Sequence, residues 1–272
     1  MPWLFLQSLL LSLALSLALA AKWQIERVKA VVGAVLAGTG AALATAYIPA
    51  DRVAVLALAQ AAVSGALLLV MLLFLFYRDP ERVPPGDEGA VLSPADGRVL
   101  YIKALPNGEA PTSYKQGFPF KLEELSGSSL LDEGCYMIGI AMNFLDVHVN
   151  RSPIRGDVAM SRLVPGSALS LKEPEAVATN TRVTTLIEGA GVTAAVIQIT
   201  SRLVRRITPF ISAGDCVEAG QRIGTITFGS QVDVLLPRRP GLKIECRPQQ
   251  RVRAGETIIA RHGSPRGSVE GG

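Results

Sequence analysis

Three short stretches carry the residue types that acid–base or nucleophilic chemistry needs. Ser93–Arg98 reads SPADGR and puts one carboxylate, Asp96, in a tight Pro/Gly turn. Asn143–Gly156 reads NFLDVHVNRSPIRG, with His148 flanked by Asp146, Asn150 and Arg151. Phe228–Pro237 reads FGSQVDVLLP, with Gly229-Ser230 opening a strand-like run. Of the two histidines, His262 borders a glycine-rich tail, so His148 is the acid–base candidate near neutral pH. Ordinary roles compete for each stretch. Asp96 could close an Asx turn, His148 could be a satisfied strand histidine, and Gly229-Ser230 could be a bend. A Ser/His/Asp set is compositionally available, but no GxSxG elbow accompanies it. Cys135, Cys216 and Cys246 form neither CxxC nor a metal-ligand spacing, so no metal site is expected and reduced thiols are the simpler reading.

The elements that must position these residues are short. From Gly89 onward, apolar runs of strand length alternate with Gly, Pro, Asn and Asp: Arg98–Ile102, Cys135–Met142, Thr193–Thr200 and Val232–Leu236. Helical period is weak, with Lys115–Leu125 and Ser201–Pro209 the two modest candidates. Two segments echo each other: SAGDCVEAGQRIGTI at 212–226 and RPQQRVRAGETIIA at 247–260. Each has a polar turn, a valine, Ala-Gly and an apolar strand, and Gly220 and Gly255 suit turns with positive φ. Paired turns of this kind occur in barrel-sandwich folds. The expected fold is a mainly β, barrel-sandwich-like soluble domain with few short helices, preceded by N-terminal transmembrane helices.

Residues 1–77 form the membrane region. Up to residue 76 the only charges are Lys22, Glu26, Arg27, Lys29, Asp51 and Arg52. Val53–Tyr77 is uncharged and long enough to span a bilayer. It stops at Arg78-Asp79-Pro80-Glu81-Arg82, where charge and proline end a buried helix. Trp3–Ala21 and Ala30–Ile48 are weaker stretches, giving one to three spans. The first carries Ala18-Leu19-Ala20, a small-x-small pattern seen at signal cleavage sites, and the second, with three glycines, could instead be re-entrant. If all three cross, the Lys22/Arg27/Lys29 loop lies on the same side as the soluble domain, which puts that domain in the cytoplasm. Residues 78–262 form the soluble domain and 263–272 a flexible tail. The net charge of +4 is too diffuse to imply nucleic acid and suits an anionic membrane surface.

YRDPERVPP, SPADGRV, NFLDVHVNRSPIRG, GQRIGTITFGSQVDVLLP and VRAGETI, in that order over roughly residues 74–262, resemble the short bacterial and archaeal type of phosphatidylserine decarboxylase. The resemblance implies a self-processing proenzyme with a pyruvoyl cofactor that converts phosphatidylserine to phosphatidylethanolamine and CO2. Decarboxylation leaves a carbanion that needs an electron sink, and a carbonyl joined to the substrate amine as a Schiff base supplies one. Ser230 would attack the Gly229 carbonyl and shift the amide to an ester. Elimination would leave Gly229 as a new C-terminus, and hydrolysis of the dehydroalanine at 230 would give the pyruvoyl group and ammonia. His148, oriented by Asp96, is the implied base. Arg78, Arg82, Asn150 and Arg151 are substrate-binding candidates; for Arg78 and Arg82 positive anchoring at the interface is the plainer role and binding of the lipid phosphate the sharper one.

The chain also departs from the family pattern. Longer members carry a second histidine three residues after the first, usually placed in the Asp–His–Ser processing set, and here that position is Arg151. Either His148 serves both steps or processing uses another base. Phe228-Gly229-Ser230-Gln231 replaces the longer members' LGS-Ser/Thr, as expected of the short type. Gly127-Ser128 and Gly166-Ser167 are decoys that no VDVLLP strand follows. Two alternatives stand beside this reading. One is an archaetidylserine decarboxylase, since the chemistry touches only the serine headgroup. The other is a membrane-anchored barrel-sandwich adaptor without chemistry; a lysine-modified carrier fits poorly, because no lysine lies between Lys172 and Lys243. The implied partners are a phospholipid substrate, the cell membrane and the two chains 1–229 and 230–272, with homo-oligomerisation left open.

Overall fold

The computed structural model describes residues 2–23, 27–49, 52–107, 112–115, 118–122, 125, 130, 134–165, 181–200, 206–226 and 231–263. They divide into two units, residues 1–78 with 143–145, and residues 79–142 with 146–272. The first unit holds α1 (Pro2–Trp23), α2 (Arg27–Ala44) and α3 (Val53–Tyr77). α2 and α3 are each long and apolar enough to cross a membrane. Small residues let these helices approach: a Cβ on Gly33 would sit 2.6 Å from Met71 Cε, and one on Gly38 would sit 2.9 Å from Leu9 Cδ2. Ser8, Ser12 and Ser16, four apart on one face of α1, donate to Gly38 O, Ser64 Oγ and Ala30 O. These bonds satisfy buried hydroxyls that would otherwise be stranded among apolar side chains. α3 ends where Arg78 turns extended, at ψ 141° ahead of Pro80.

The second unit is built from strands. In chain order these are β1 (Ala90–Leu92), β2 (Gly97–Leu105), β3 (Thr112–Lys115), β4 (Phe118–Lys121), β5 (Cys135–Ala141), β6 (Val149–Arg151), β7 (Gly156–Val164) and β8 (Arg182–Gly189). Then come β9 (Val192–Ile199), β10 (Ile207–Pro209), β11 (Cys216–Val217), β12 (Arg222–Ile226), β13 (Gln231–Pro237), β14 (Leu242–Ile244), β15 (Arg251–Val252) and β16 (Ile258–His262). The mainly β expectation holds. Two helix expectations do not. Within Lys115–Leu125, Lys115 ends β3 and Phe118–Lys121 forms β4 of a hairpin rather than a helix, and Ile207–Pro209 is strand β10. Both segments are rich in aromatic, β-branched or proline residues, which favour strands and turns over helix. Residues 201–205 lie outside the described residues.

An eight-stranded antiparallel sheet runs β11-β7-β8-β9-β13-β5-β2-β15, with β13 near its centre. β13 alternates its side chains between two cores. Val232, Val234 and Leu236 join Ile138 and Ile140 of β5 and face the small sheets β1-β16-β14 and β10-β12-β6 through Ile223, Ile226 and Ile259. Leu235 joins Met137 and Ile197 on the other face, against Leu122, Leu125 and Leu130. Each fully buried side chain of this size contributes about 1.5–3 kcal/mol of transfer free energy.

The two echoed segments make equivalent contacts, each with a Ser-Pro turn. Ser93 Oγ donates to Ala95 O, and Ser152 Oγ donates to Ile154 O. Gly255 N donates to Ser93 O and Gly220 N donates to Ser152 O, each 2.8 Å, while Arg151 N and Leu92 N donate to Pro94 O and Pro153 O. Gly220 and Gly255 have φ of +79° and +71°. SPADG and SPIRG are thus the other half of the internal repeat, and the two turns exchange matching backbone hydrogen bonds.

Candidate active site

His148 immediately precedes β6, whose three residues pair with β12. The His148 carbonyl accepts from Ile226 N and from Thr225 Oγ1, each at 3.1 Å, so its backbone is tied to the last residue of β12. The side chain is buried, at 2% exposure. Nδ1 lies 2.8 Å from the Asp146 carbonyl oxygen. A carbonyl can only accept, so Nδ1 carries the proton and Nε2 is the basic nitrogen of the neutral ring. Four residues connect Ile226 to Gln231, the first residue of β13. These include Gly229 and Ser230, and they lie outside the described residues.

The far end of that connection is firmly held. Gln231 is in register with Ala141 on one side and Ile199 on the other. Its Nε2 donates to Tyr101 Oη at 3.0 Å and to Asp233 Oδ1 at 2.8 Å, and Tyr101 Oη donates to Asp233 Oδ2 at 2.9 Å. Tyr101, Gly139 and Asp233 share one row across β2, β5 and β13. The tyrosine ring lies directly over Gly139, where any Cβ would collide with it. On the opposite face Gln198 of β9, in register with Val232, donates from Nε2 to Asn150 Oδ1 at 2.8 Å. Gln198 Oε1 is buried and accepts no hydrogen bond among the described residues. An orphaned acceptor of this kind costs about 1–3 kcal/mol.

Asp96 is engaged elsewhere than at the histidine. Its carboxylate accepts from both terminal nitrogens of Arg82, at 2.5 and 2.9 Å, and from Ala254 N at 2.8 Å. Arg82 also donates to Ala254 O. Burial pulls the Arg82 guanidinium down, but hydrogen bonding to Asp96 and the charge of Asp96 hold it above its usual value. The Asp146 carbonyl, rather than Asp96, thus takes the Nδ1 proton of His148. Arg151 donates to Gly220 O, Pro80 O and Asp79 Oδ1. Burial, then the charge of Arg222, lowers its pKa. Arg222 in turn binds Asp79 and Glu81. Arg78 donates to Leu75 O and Leu145 O, capping the end of α3.

The structure therefore gathers Asn150 near His148 on β6 and leaves Arg82 and Arg151 tied up in ion pairs of the Asp79–Arg82 strap. The sequence reading missed Asp79, Arg222 and Gln198. Gln198 did give a signal, as a lone amide in the otherwise apolar run AAVIQI.

His148 is buried, and its backbone is tied to the strand end that leads into Gly229-Ser230. Sequence comparison places the chain. The family described as phosphatidylserine decarboxylase matches residues 70–260. A protein of Erythrobacter litoralis named phosphatidylserine decarboxylase proenzyme is 41% identical over 193 residues, covering 70% of this chain and 73% of that one. One of the same name from Geotalea uraniireducens is 37% identical over 208 residues, covering 75% and 87%. A protein of Methanocaldococcus jannaschii named "Putative archaetidylserine decarboxylase proenzyme" is 38% identical over 192 residues, covering 71% and 90%. No solved structure matches the chain. The chain belongs to the phosphatidylserine decarboxylase family.

Proposed function

We propose that this chain decarboxylates phosphatidylserine to phosphatidylethanolamine and CO2, using a pyruvoyl group made from Ser230 by cleavage of its own Gly229–Ser230 bond. The observation that carries this reading is the placement of buried His148 against Ile226, at the strand end leading into Gly229-Ser230, in a chain of this family. The surroundings fit such a group. The segment that would carry it is flanked by two anchored strand ends. The pyruvoyl carbonyl supplies the electron sink that decarboxylation needs. His148, with its proton held at Nδ1 by Asp146 O, takes and returns a proton at Nε2. Gln231 keeps the start of β13 in register when the chain is cut, through Tyr101 and Asp233.

Membrane attachment through α2 and α3, with the catalytic domain on the cytoplasmic side, brings the site to its lipid. The M. jannaschii relative supports archaetidylserine as a second substrate reading, since no site residue named above need touch the glycerol linkage. Intact mass spectrometry tests the proposal. It should find two chains, 1–229 and 230–272, the smaller starting with a pyruvoyl mass in place of serine. Ser230→Ala should give one full-length, inactive chain. A cleaved Ser230→Ala, or an intact yet active wild type, would sink the reading and leave the adaptor alternative.

A further inference from the structure

Gln198 occupies a position where an apolar residue would fill the core at no polar cost. It is 1% exposed and stands between Ile197 and Ile199 on β9. Its amide is clamped: Nε2 donates to Asn150 Oδ1 at 2.8 Å, and Asn150 turns its own Nδ2 toward Met142 Sδ. Gly224 makes room for it, since a Cβ there would come within 3.1 Å of Nε2 and 3.3 Å of Oε1. Oε1 is left buried with no donor among the described residues. The location is specific. Asn150 is two residues from His148 on β6, and Gln198 is in register with Val232, two residues beyond Ser230.

We infer that Gln198 is a substrate-positioning residue whose Oε1 accepts a hydrogen bond from the amine of the lipid headgroup. The inference rests on the function proposed above. An amide oxygen rejects other acceptors, so the headgroup's carboxylate and phosphate cannot fill this place. The glycerol and acyl linkages carry no donor. The amine is the one N–H group that phosphatidylserine offers, and the product phosphatidylethanolamine retains it. Asn150 acts through Gln198, holding the amide so that oxygen and not nitrogen faces the ligand.

Binding of two water-soluble lipids to the full-length processed protein in non-ionic detergent tests this. Dihexanoyl phosphatidylethanolamine carries the amine; dihexanoyl phosphatidylmethanol has no donor. Gln198→Met should weaken the first by about tenfold to a hundredfold and leave the second within about twofold. Gln198→Glu, which keeps an acceptor that Asn150 can satisfy by turning its amide, should retain ethanolamine binding. Equal loss on both lipids, or no loss on either, overturns the assignment; the second result means a buried water occupies Oε1. Should Gln198→Met fail to fold, Gln198→Asn withdraws the acceptor by one methylene and decides the same comparison. A wild type that never cleaves instead sinks the function reading. A cleaved, active wild type whose Gln198 variants bind both lipids normally sinks this inference alone.

Discussion

Arg151 and Arg222 face each other directly across the β6–β12 ladder, and Asp79 bridges them. Oδ1 of Asp79 lies 3.4 Å from Arg151 and Oδ2 lies 2.6 Å from Arg222 Nε. Like charges opposed in a ladder destabilise it unless a counter-charge intervenes. The strap residue Asp79 thereby holds together the strand after His148 and the strand before Gly229-Ser230.

Asp79→Asn should therefore destabilise the second unit, although this substitution changes only one atom. Its side chain is 30% exposed, which places the loss between that of surface and fully buried pairs, at about 2 kcal/mol. The melting temperature should fall by about 4–8 °C. An unchanged melting curve would mean that solvent already screens the two arginines.

Asp96 and Arg82 should behave as a unit. Their side chains are 12% and 5% exposed. Asp96→Leu alone strands a buried guanidinium and should cost about 3–5 kcal/mol. Arg82→Met combined with Asp96→Leu should recover a good part of that loss. If self-cleavage stays blocked in the double variant although its stability returns, Asp96 has a chemical role in processing beyond its ion pair. If cleavage returns with stability, its role is to hold the strap.

His148→Ala should lower decarboxylation by about 10²–10⁴-fold, the usual effect of losing a general acid–base group. Release of CO2 is measured on enzyme shown by mass to be cleaved, so that processing and turnover are scored apart. Normal cleavage with lost turnover would assign His148 to decarboxylation alone. Normal behaviour in both would reduce it to a buried strand histidine.

Much of this frame can be read from local pattern. Each of the four apolar runs coincides with a strand of the large sheet (β2, β5, β9 and β13): burial on both faces leaves β5, β9 and β13 nearly continuously apolar, whereas β2 alternates buried and exposed residues. The turn–glycine–strand echo was visible too, since Gly220 and Gly255 are needed where φ is positive. Its Ser-Pro partners were hidden, because SPADG and SPIRG share only the residues that make the turn. The helix expected over Lys115–Leu125 gives way at Lys115 and Phe118–Lys121 to a hairpin, because a short hairpin and a helical turn offer the same sparse apolar spacing. Non-local pairs were out of reach. Asp79 and Arg222 are 143 residues apart, and nothing in YRDPER says which arginine its carboxylates will meet. Asp96 stands out in SPADGR, but nothing there points to Arg82 as its partner, and Arg82 itself reads as an interface anchor or a substrate-binding candidate.

The strap also makes the site of truncation matter. Removing residues 1–76 deletes α1, α2 and almost all of α3 but keeps Asp79, Glu81 and Arg82. The ion pairs to Arg151, Arg222 and Asp96 lie wholly within the second unit, so this protein should still fold and cleave. Removing residues 1–85 deletes the strap as well. It leaves Arg151 and Arg222 opposed without a bridge and Asp96 without Arg82, so cleavage should slow and the melting temperature should fall. Turnover should separate the two roles further. Tethering raises the effective concentration of a site at its substrate surface. The shorter truncation should lose activity sharply on phosphatidylserine vesicles and much less on a short-chain, water-soluble analogue. Equal losses on both substrates would refute tethering and give the helices a direct part in forming the site. If both truncations cleave and melt alike, the strap merely follows the fold that the sheets have already made.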